Sequence, residues 1–235
     1  MQTPEEKKVF VRDKFSSISK RYDLVNSLVS FKIDHYWRWV TTRELRPFPE
    51  GPVLDLCAGT LPLSLELTRQ APKRQVMAID FCEDMIRAGV KDLPTDNRRQ
   101  RIMPVCGDGE EIPALDNSFW GCTVAFGVRN LSRPEKGLAE MCRVLKPGGK
   151  LLVLEFSRPT NFLVRPLYFF YLNKVLPMVA GLVSGDKEAY DYLASSIAKF
   201  PDPEKFLNMM RQAGFAKASR RPLTFGIVSI YVGVK

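Results

Sequence analysis

The segment Pro52-Val53-Leu54-Asp55-Leu56-Cys57-Ala58-Gly59-Thr60 carries an apolar run past an acid and into a turn of small residues. An apolar run with little polar alternation suits a strand buried on both faces, because helices then cover both sides of the sheet. Gly59 lets the backbone come close to a ligand, and the helix that follows offers unpaired N–H groups in its first turn. In an open α/β sheet, ligands bind at the carboxyl end of such a strand, where the strand order reverses and leaves a crevice.

Outward from this stretch the pattern repeats. Gln75–Ile79, Ile102–Cys106, Gly121–Phe126 and Lys150–Glu155 are further short apolar runs, separated by the helix-length segments Leu63–Gln70, Glu83–Leu93 and Pro134–Leu145. Strand and helix in alternation predict a parallel sheet. A mostly helical insertion follows over Thr160–Phe200, then a helix over Pro203–Ala213. The strand-like runs Phe215–Leu223 and Gly226–Val234 are joined around Thr224-Phe225. Only a tight connection fits there, so these two strands are predicted as antiparallel neighbours. At the other end, Val9, Phe10, Phe15, Ile18, Tyr22, Val25, Leu28 and Val29 recur at helical spacing and predict two or three short amphipathic helices. The predicted fold is a single α/β domain: a doubly wound, mostly parallel seven-stranded sheet with an antiparallel last strand and an N-terminal helical cap. Its parts are the cap (1–48), a ligand-binding core (49–158), a helical insertion or lid (159–202), and a C-terminal helix with a strand hairpin (203–235).

Composition narrows the function. At 45% hydrophobic and 26% charged, the chain is that of a globular protein, and its net charge of +9 is spread along the whole length with clusters at Arg98-Arg99-Gln100-Arg101 and Arg220-Arg221. That balance favours anionic partners, a lipid headgroup surface among them. Nucleic acid is not expected, because the aromatics are concentrated in an apolar segment instead of being interleaved with the basic clusters. Five cysteines without a C-x-x-C pair read as reduced core thiols of a cytoplasmic protein, and with His35 the sole histidine no metal site is expected. The polar N-terminus lacks the apolar core of a secretory signal. The most apolar stretch, Phe162–Val183, is interrupted by Arg165, Pro166, Asn173, Lys174 and Pro177 and reads as a surface or lid element, not a membrane span.

Acids at successive strand ends describe the ligand. Asp80 closes the second strand, where a carboxylate accepts both hydroxyls of a ribose. Asp108, in Gly107-Asp108-Gly109-Glu110, is placed to accept from an exocyclic adenine amine, and Asp55 to hold the ammonium of an amino-acid moiety. Three acids suit a nucleoside with a cationic tail and would repel a pyrophosphate. S-adenosyl-L-methionine (AdoMet) is such a molecule. The expected cofactor-binding set is Asp55, Gly59, Thr60, Asp80, Phe81, Asp108, Gly109 and Ala125.

Over nearly its whole length the sequence also resembles the ubiquinone and menaquinone biosynthesis C-methyltransferases. The resemblance is carried by Tyr22–Asn26 with Ser30 and Trp37-Arg38, by Val53–Thr60, Asp80-Phe81 with Met85, and Asp116–Phe119. It continues through Phe126-Gly-Val-Arg-Asn130, Arg143–Gly149, Glu155-Phe-Ser-Arg-Pro159, Tyr192-Leu193, Ser196-Ile197, Phe200-Pro201 and Thr224–Ile227. It implies methyl transfer from AdoMet to a ring carbon of a polyprenylated quinol, demethylmenaquinol in the first place, with Thr60, Asp80, Asp108 and Gly109 contacting AdoMet. The implied partners are a small-molecule lipid quinol, a peripheral contact at the inner face of the membrane, and a second copy of the chain in a homodimer.

A quinol carbon becomes nucleophilic when the neighbouring hydroxyl, with a pKa near ~10, loses its proton. Arg129, in the loop after the fourth strand, is the candidate for stabilising that phenolate, with Asn130 orienting substrate or loop. His35, Tyr22 and Tyr168 are candidates for the base. The aromatic run Phe162–Tyr171 suits a quinol ring and its tail, a buried helix, or a helix in the membrane interface. At two places the chain departs from the family pattern. Leu61-Pro62 stands where the family has Gly-Asp, and Lys32 and Asp34 stand where it tends to have Gly and His. Pro62 suits the first turn of a helix. Leu61 is expected to be strained, or to crowd the cofactor, if its position requires a positive φ.

Overall fold

Strand β1 (Val53–Leu56) lies third in a seven-stranded sheet, with every residue buried. The computed structural model describes residues 3–19, 22–45, 51–159, 162–175, 178 and 187–235. β1 pairs in parallel with β2 (Val76–Asp80) on one side and β4 (Phe119–Ala125) on the other. β3 (Ile102–Cys106) extends the β2 side. On the β4 side follow β5 (Leu145–Phe156), β7 (Val228–Val234) and β6 (Lys217–Leu223), so the order is β3-β2-β1-β4-β5-β7-β6. β7 runs antiparallel to both neighbours. The chain winds outward from β1 through β2 to β3, then returns to β1's other flank at β4, and this reversal opens a crevice at the strand ends.

Helices α4 (Pro62–Gln70), α5 (Glu83–Asp92) and α6 (Pro134–Val144) cross over between parallel strands. Their inner faces, with those of α9 (Pro203–Gln212), bury Leu63, Met85, Leu138, Met141, Phe206 and Met210. Of the cap, α1 (Pro4–Ile18) starts on a reciprocal cap, in which Thr3 and Glu6 each accept the other's backbone N–H. α2 (Tyr22–Val29) and α3 (Ile33–Arg43) follow. The insertion contributes α7 (Val164–Phe170), which runs into a π-helical turn ending at Val175, and α8 (Lys187–Lys199). Residues 160–161, 176–177 and 179–186 of the predicted insertion lie outside the described residues. No described helix is long and apolar enough to cross a membrane.

Three local expectations change. β5 begins at Leu145, not Lys150: Lys146-Pro-Gly-Gly149 forms an irregularity within the strand, with Gly148 at φ +77° and the register to β4 shifting there. Of the cysteines, Cys82, Cys122 and Cys142 are buried, but Cys106 is exposed at the edge strand. Leu61 does take a positive φ, +69°, yet it does not crowd the crevice. Its side chain is fully buried on the other side of the turn, among Ala58, Ala78, Ile86, Leu93 and Ile102. A left-handed backbone at a non-glycine costs about 1–2 kcal/mol, which burial of the leucyl group offsets. Lys32 likewise sits at φ +61°, which accounts for a glycine being suited to that position.

Leu61→Ala is therefore expected to destabilise the fold by about 2–4 kcal/mol in urea unfolding. Leu61→Gly should be no worse than Leu61→Ala, because relief of the left-handed backbone compensates for the additional methyl removed. A glycine variant at least 1 kcal/mol or so less stable than the alanine variant would contradict the strain assignment.

Candidate active site

Two cavities meet over the carboxyl ends of β1, β2 and β4, and Phe15, Tyr22 and Phe126 belong to the walls of both. The first is a crevice of about 90 Å³ that holds Gly59, Asp80, Phe81, Asp108, Gly109, Ala125 and Asn130. The second, about 260 Å³, is apolar and lies between the cap, the insertion and the β7 turn.

The crevice is built by a turn in which alternate residues take positive φ: Cys57 at +55°, Gly59 at +56° and Leu61 at +69°. This turn presents the Gly59 N–H to Asp80 Oδ2 at 2.8 Å, while the Cys82 N–H donates to Asp80 Oδ1 at 2.8 Å. Asp80 is thus fixed by two backbone donors, with lone pairs left over. Burial raises its pKa, and the same N–H groups pull the other way. From the opposite wall the loop after β4 approaches so closely that a Cβ on Gly127 would lie 2.3 Å from Cys57 Cβ.

The cap roofs this crevice. Lys8 Nζ lies 2.5 Å from Asp108 Oδ2 and 3.2 Å from Glu110, and Arg12 and Phe15 of the same helix line the space. Glu110 is itself fully buried and accepts the Ser132 and Arg133 N–H groups, which ties the third strand's loop to the fourth's. Small-molecule pockets usually run to several hundred Å³. At about 90 Å³ this crevice is smaller, with Lys8, Arg12 and Phe15 of α1 forming its roof.

Three sequence-predicted site residues line neither cavity. Asp55 is buried beneath α4, accepting from Ser64 Oγ at 2.6 Å and Thr123 Oγ1 at 2.9 Å, because it sits inside β1 and not at its end. It braces the turn, and its carboxylate faces Ser64 and Thr123 instead of the crevice. Thr60 donates its hydroxyl to Asp23 of α2 at 2.7 Å, so its side chain ties the cap to the turn. His35 is exposed on α3 and lines neither cavity; its partner is Ser27 Oγ at 3.3 Å.

Arg129 and Tyr22 face the apolar cavity. The Arg129 side chain is buried, its Nη1 donating to both Glu155 oxygens at 3.0 Å and to the Phe126 carbonyl at 2.5 Å. Its Nε has no partner among the described residues. Asn130 donates to the Phe126 carbonyl at 3.4 Å and accepts from Tyr192 Oη at 3.1 Å. Burial raises the pKa of Tyr22, the Arg129 charge opposing only in part, so at neutral pH it is a neutral phenol at the junction of the cavities and not a base. The aromatic run divides: Tyr168 and Tyr171 line the cavity, whereas Phe162, Leu167 and Phe170 are exposed. Sequence reading gave no site role to Lys8, Asp23, Asp34, Arg38 or Glu155. Asp34 and Arg38 had a signal, opposite charges four apart on a helix, and so did Glu155, an acid ending a core strand.

The lining fits AdoMet: Asp80 for a diol, Asp108 for an amine, and glycines where the backbone must approach, with Lys8 and Arg12 of α1 the cations beside them. A sequence profile of the ubiE/COQ5 methyltransferase family matches residues 1–235. The ubiquinone/menaquinone biosynthesis C-methyltransferase UbiE of Geobacter sulfurreducens is 41% identical over 231 residues, covering 98% of this chain and 90% of that protein. A demethylmenaquinone methyltransferase of Clavibacter sepedonicus is 42% identical over 221 residues, 94% of this chain and 88% of its own. Among solved structures, a SAM-dependent methyltransferase of Thermotoga maritima superposes with a TM-score of 0.67 at 20% identity, covering 96% of this chain and 99% of that one, a likeness of fold.

Burial pushes the Asp55 carboxyl up from 3.8 to about 6. Between those values the folded chain holds a proton that the unfolded chain has lost, so Asp55 lowers stability as pH rises through this window. Asp55→Asn is expected to flatten that fall and to gain about 2–3 kcal/mol at neutral pH relative to pH 4, read from denaturant midpoints across pH. An unchanged pH profile would contradict it.

Proposed function

The chain belongs to the ubiE/COQ5 methyltransferase family, and from that membership we propose that it methylates a ring carbon of a polyprenylated quinol, converting demethylmenaquinol to menaquinol with AdoMet. The observation that carries this reading is the meeting of the two cavities at Tyr22 and Phe126: an acid-lined crevice for a nucleoside opens beside an apolar chamber holding a buried guanidinium.

When bound, AdoMet supplies an electrophilic methyl group on its sulfonium. The chain's residues do the rest. Asp80 would hold the ribose hydroxyls and Asp108 the adenine amine in place of Lys8, and Gly59, Gly109, Phe81 and Ala125 would shape the walls between them. In the apolar chamber Phe126 and Phe156, whose ring centroids are 4.7 Å apart, offer faces to an aromatic ring. Arg129, its charge balanced by Glu155, stabilises the phenolate that forms when the quinol hydroxyl ionises. In a site of low dielectric this lowers the hydroxyl's pKa and raises electron density on the adjacent carbon. Asn130, held by Tyr192, fixes the loop that carries Arg129. Tyr22 donates a hydrogen bond at the junction. One ring hydrogen is replaced by the methyl and one proton is released, and orientation of the ring against the activated methyl supplies much of the rate.

The chamber opens beside Phe31 in the turn before α3, and Thr224 lines it next to Phe225; Phe31 and Phe225 are each 78% exposed. Apolar tips at the cavity mouth, beside Lys32, support a peripheral contact with an anionic membrane face, through which a prenyl tail reaches the chamber.

Purified protein, AdoMet and a reduced short-tailed demethylmenaquinone should yield a product heavier by one methyl group. AdoMet binding without such a product would overturn the reading. Asp80→Ala should weaken AdoMet binding more than about tenfold by calorimetry. Arg129→Lys, which keeps the charge but loses the fork, should lower kcat by about 10²-fold with AdoMet affinity unchanged.

A further inference from the structure

The apolar chamber contains a second buried guanidinium. Arg38 of α3 is buried, lines the same cavity as Arg129, and lies with its Cζ 5.8 Å from the centre of the Phe126 ring. Arg129 Cζ lies 5.5 Å from the centre of Phe156, the ring packed against Phe126. Each cation thus lies near one ring of a tilted aromatic pair.

Their chemistry is parallel. Each is neutralised by one carboxylate: Arg129 by Glu155, and Arg38 by Asp34, to which its Nη1 donates. Asp34 is buried too and is steadied by the Ser30 hydroxyl at 2.7 Å. Each guanidinium also keeps a buried Nε without a partner among the described residues. A buried donor left unsatisfied is destabilising, and a guanidinium has five N–H groups to place. A hydrophobic pair at these positions would fill the chamber without that penalty. The arrangement is suited to a ligand that brings its own acceptors, one to each cation, on a ring that lies against phenylalanine.

We propose that Arg38, positioned by Asp34, is a second oxygen-binding subsite that selects aromatic rings carrying two oxygens across the ring. This rests on the quinol reading above and assigns the two oxygens separately. Arg129 belongs to the loop whose Asn130 also lines the nucleoside crevice, so it takes the oxygen whose ionisation activates the ring. Arg38, on the cap side, takes the opposite one. A mono-oxygenated ring leaves Arg38 unsatisfied and is rejected for that reason.

The test is calorimetric titration of the full chain, under reducing conditions, with 1,4-dihydroxynaphthalene and with 1-naphthol. The wild type should bind the dihydroxy ring about tenfold or more tightly than the naphthol. Arg38→Met should bring the two within about twofold, by weakening the dihydroxy ring alone, while AdoMet affinity stays unchanged. Because Arg38→Met leaves Asp34 buried and unpaired, the double variant Asp34→Asn/Arg38→Met, which removes both charges, serves as a second arm with the same expectation. Equal wild-type affinities, no measurable binding of the dihydroxy ring, or a preference that survives in either variant would overturn the subsite. If the wild type shows the preference but methylates no quinol with AdoMet bound, the subsite stands and the methyl-transfer reading falls.

Discussion

The hydrogen bond from the Gly59 N–H to Asp80 is the constraint on which the site depends. It joins the turn after β1 to the end of β2, and the Cys82 N–H on the other carboxylate oxygen joins the turn after β2 to the same group. One acid therefore sets the spacing of two adjacent loops at the point where the strand order reverses. A glycine at φ +56° is what lets its N–H point at that carboxylate. The left-handed Leu61 completes the turn, and the burial of its side chain shows how a strained backbone position is retained: the packing it enables outweighs the local penalty.

Around this fixed corner, the remaining walls come from parts of the chain far apart in sequence. Thr60 is tied to Asp23, Asp108 to Lys8, and Ser16 of α1 to Asp84 of α5, so the cap is attached to the crevice through polar contacts with the same loops that would hold a nucleoside. Contacts of that kind, partly exposed and single, are weak individually. Apolar packing adds to them, since Phe15, Ile18 and Tyr22 of the cap share one cluster with Tyr168, Leu172 and Ile197 of the insertion. The same cap supplies Tyr22, Asp34 and Arg38 to the apolar chamber, which couples the state of the crevice to the shape of the chamber.

The strands and crossover helices were legible in the sequence because their signals are local. Apolar runs of four to seven residues, each followed by a helix-length segment, can form little else than a doubly wound sheet. Asp80, Asp108, Gly59 and Gly109 were legible as well, standing at the ends of those runs. Asp55 was misplaced because position along a strand decides which face a side chain takes, and Asp55 lies one residue short of the end of β1, against Ser64. His35 was weighed for its chemistry alone, while its place on the outer face of α3 decides its exposure. Arg38, three residues on, is buried instead.

By itself, then, the amino-acid sequence determined the order of elements, the sheet they form and the loops that wall the crevice, since each depends on patterning within a few residues. Only the tertiary structure decided which charges meet. The pairs Arg129 with Glu155, Lys8 with Asp108 and Asp23 with Thr60 join residues distant in the chain, and whether Arg38 and Asp34 face solvent or an apolar chamber depends on what packs against α3. A charge has its chemistry from the dielectric and the partners around it, and those exist only once the chain is folded.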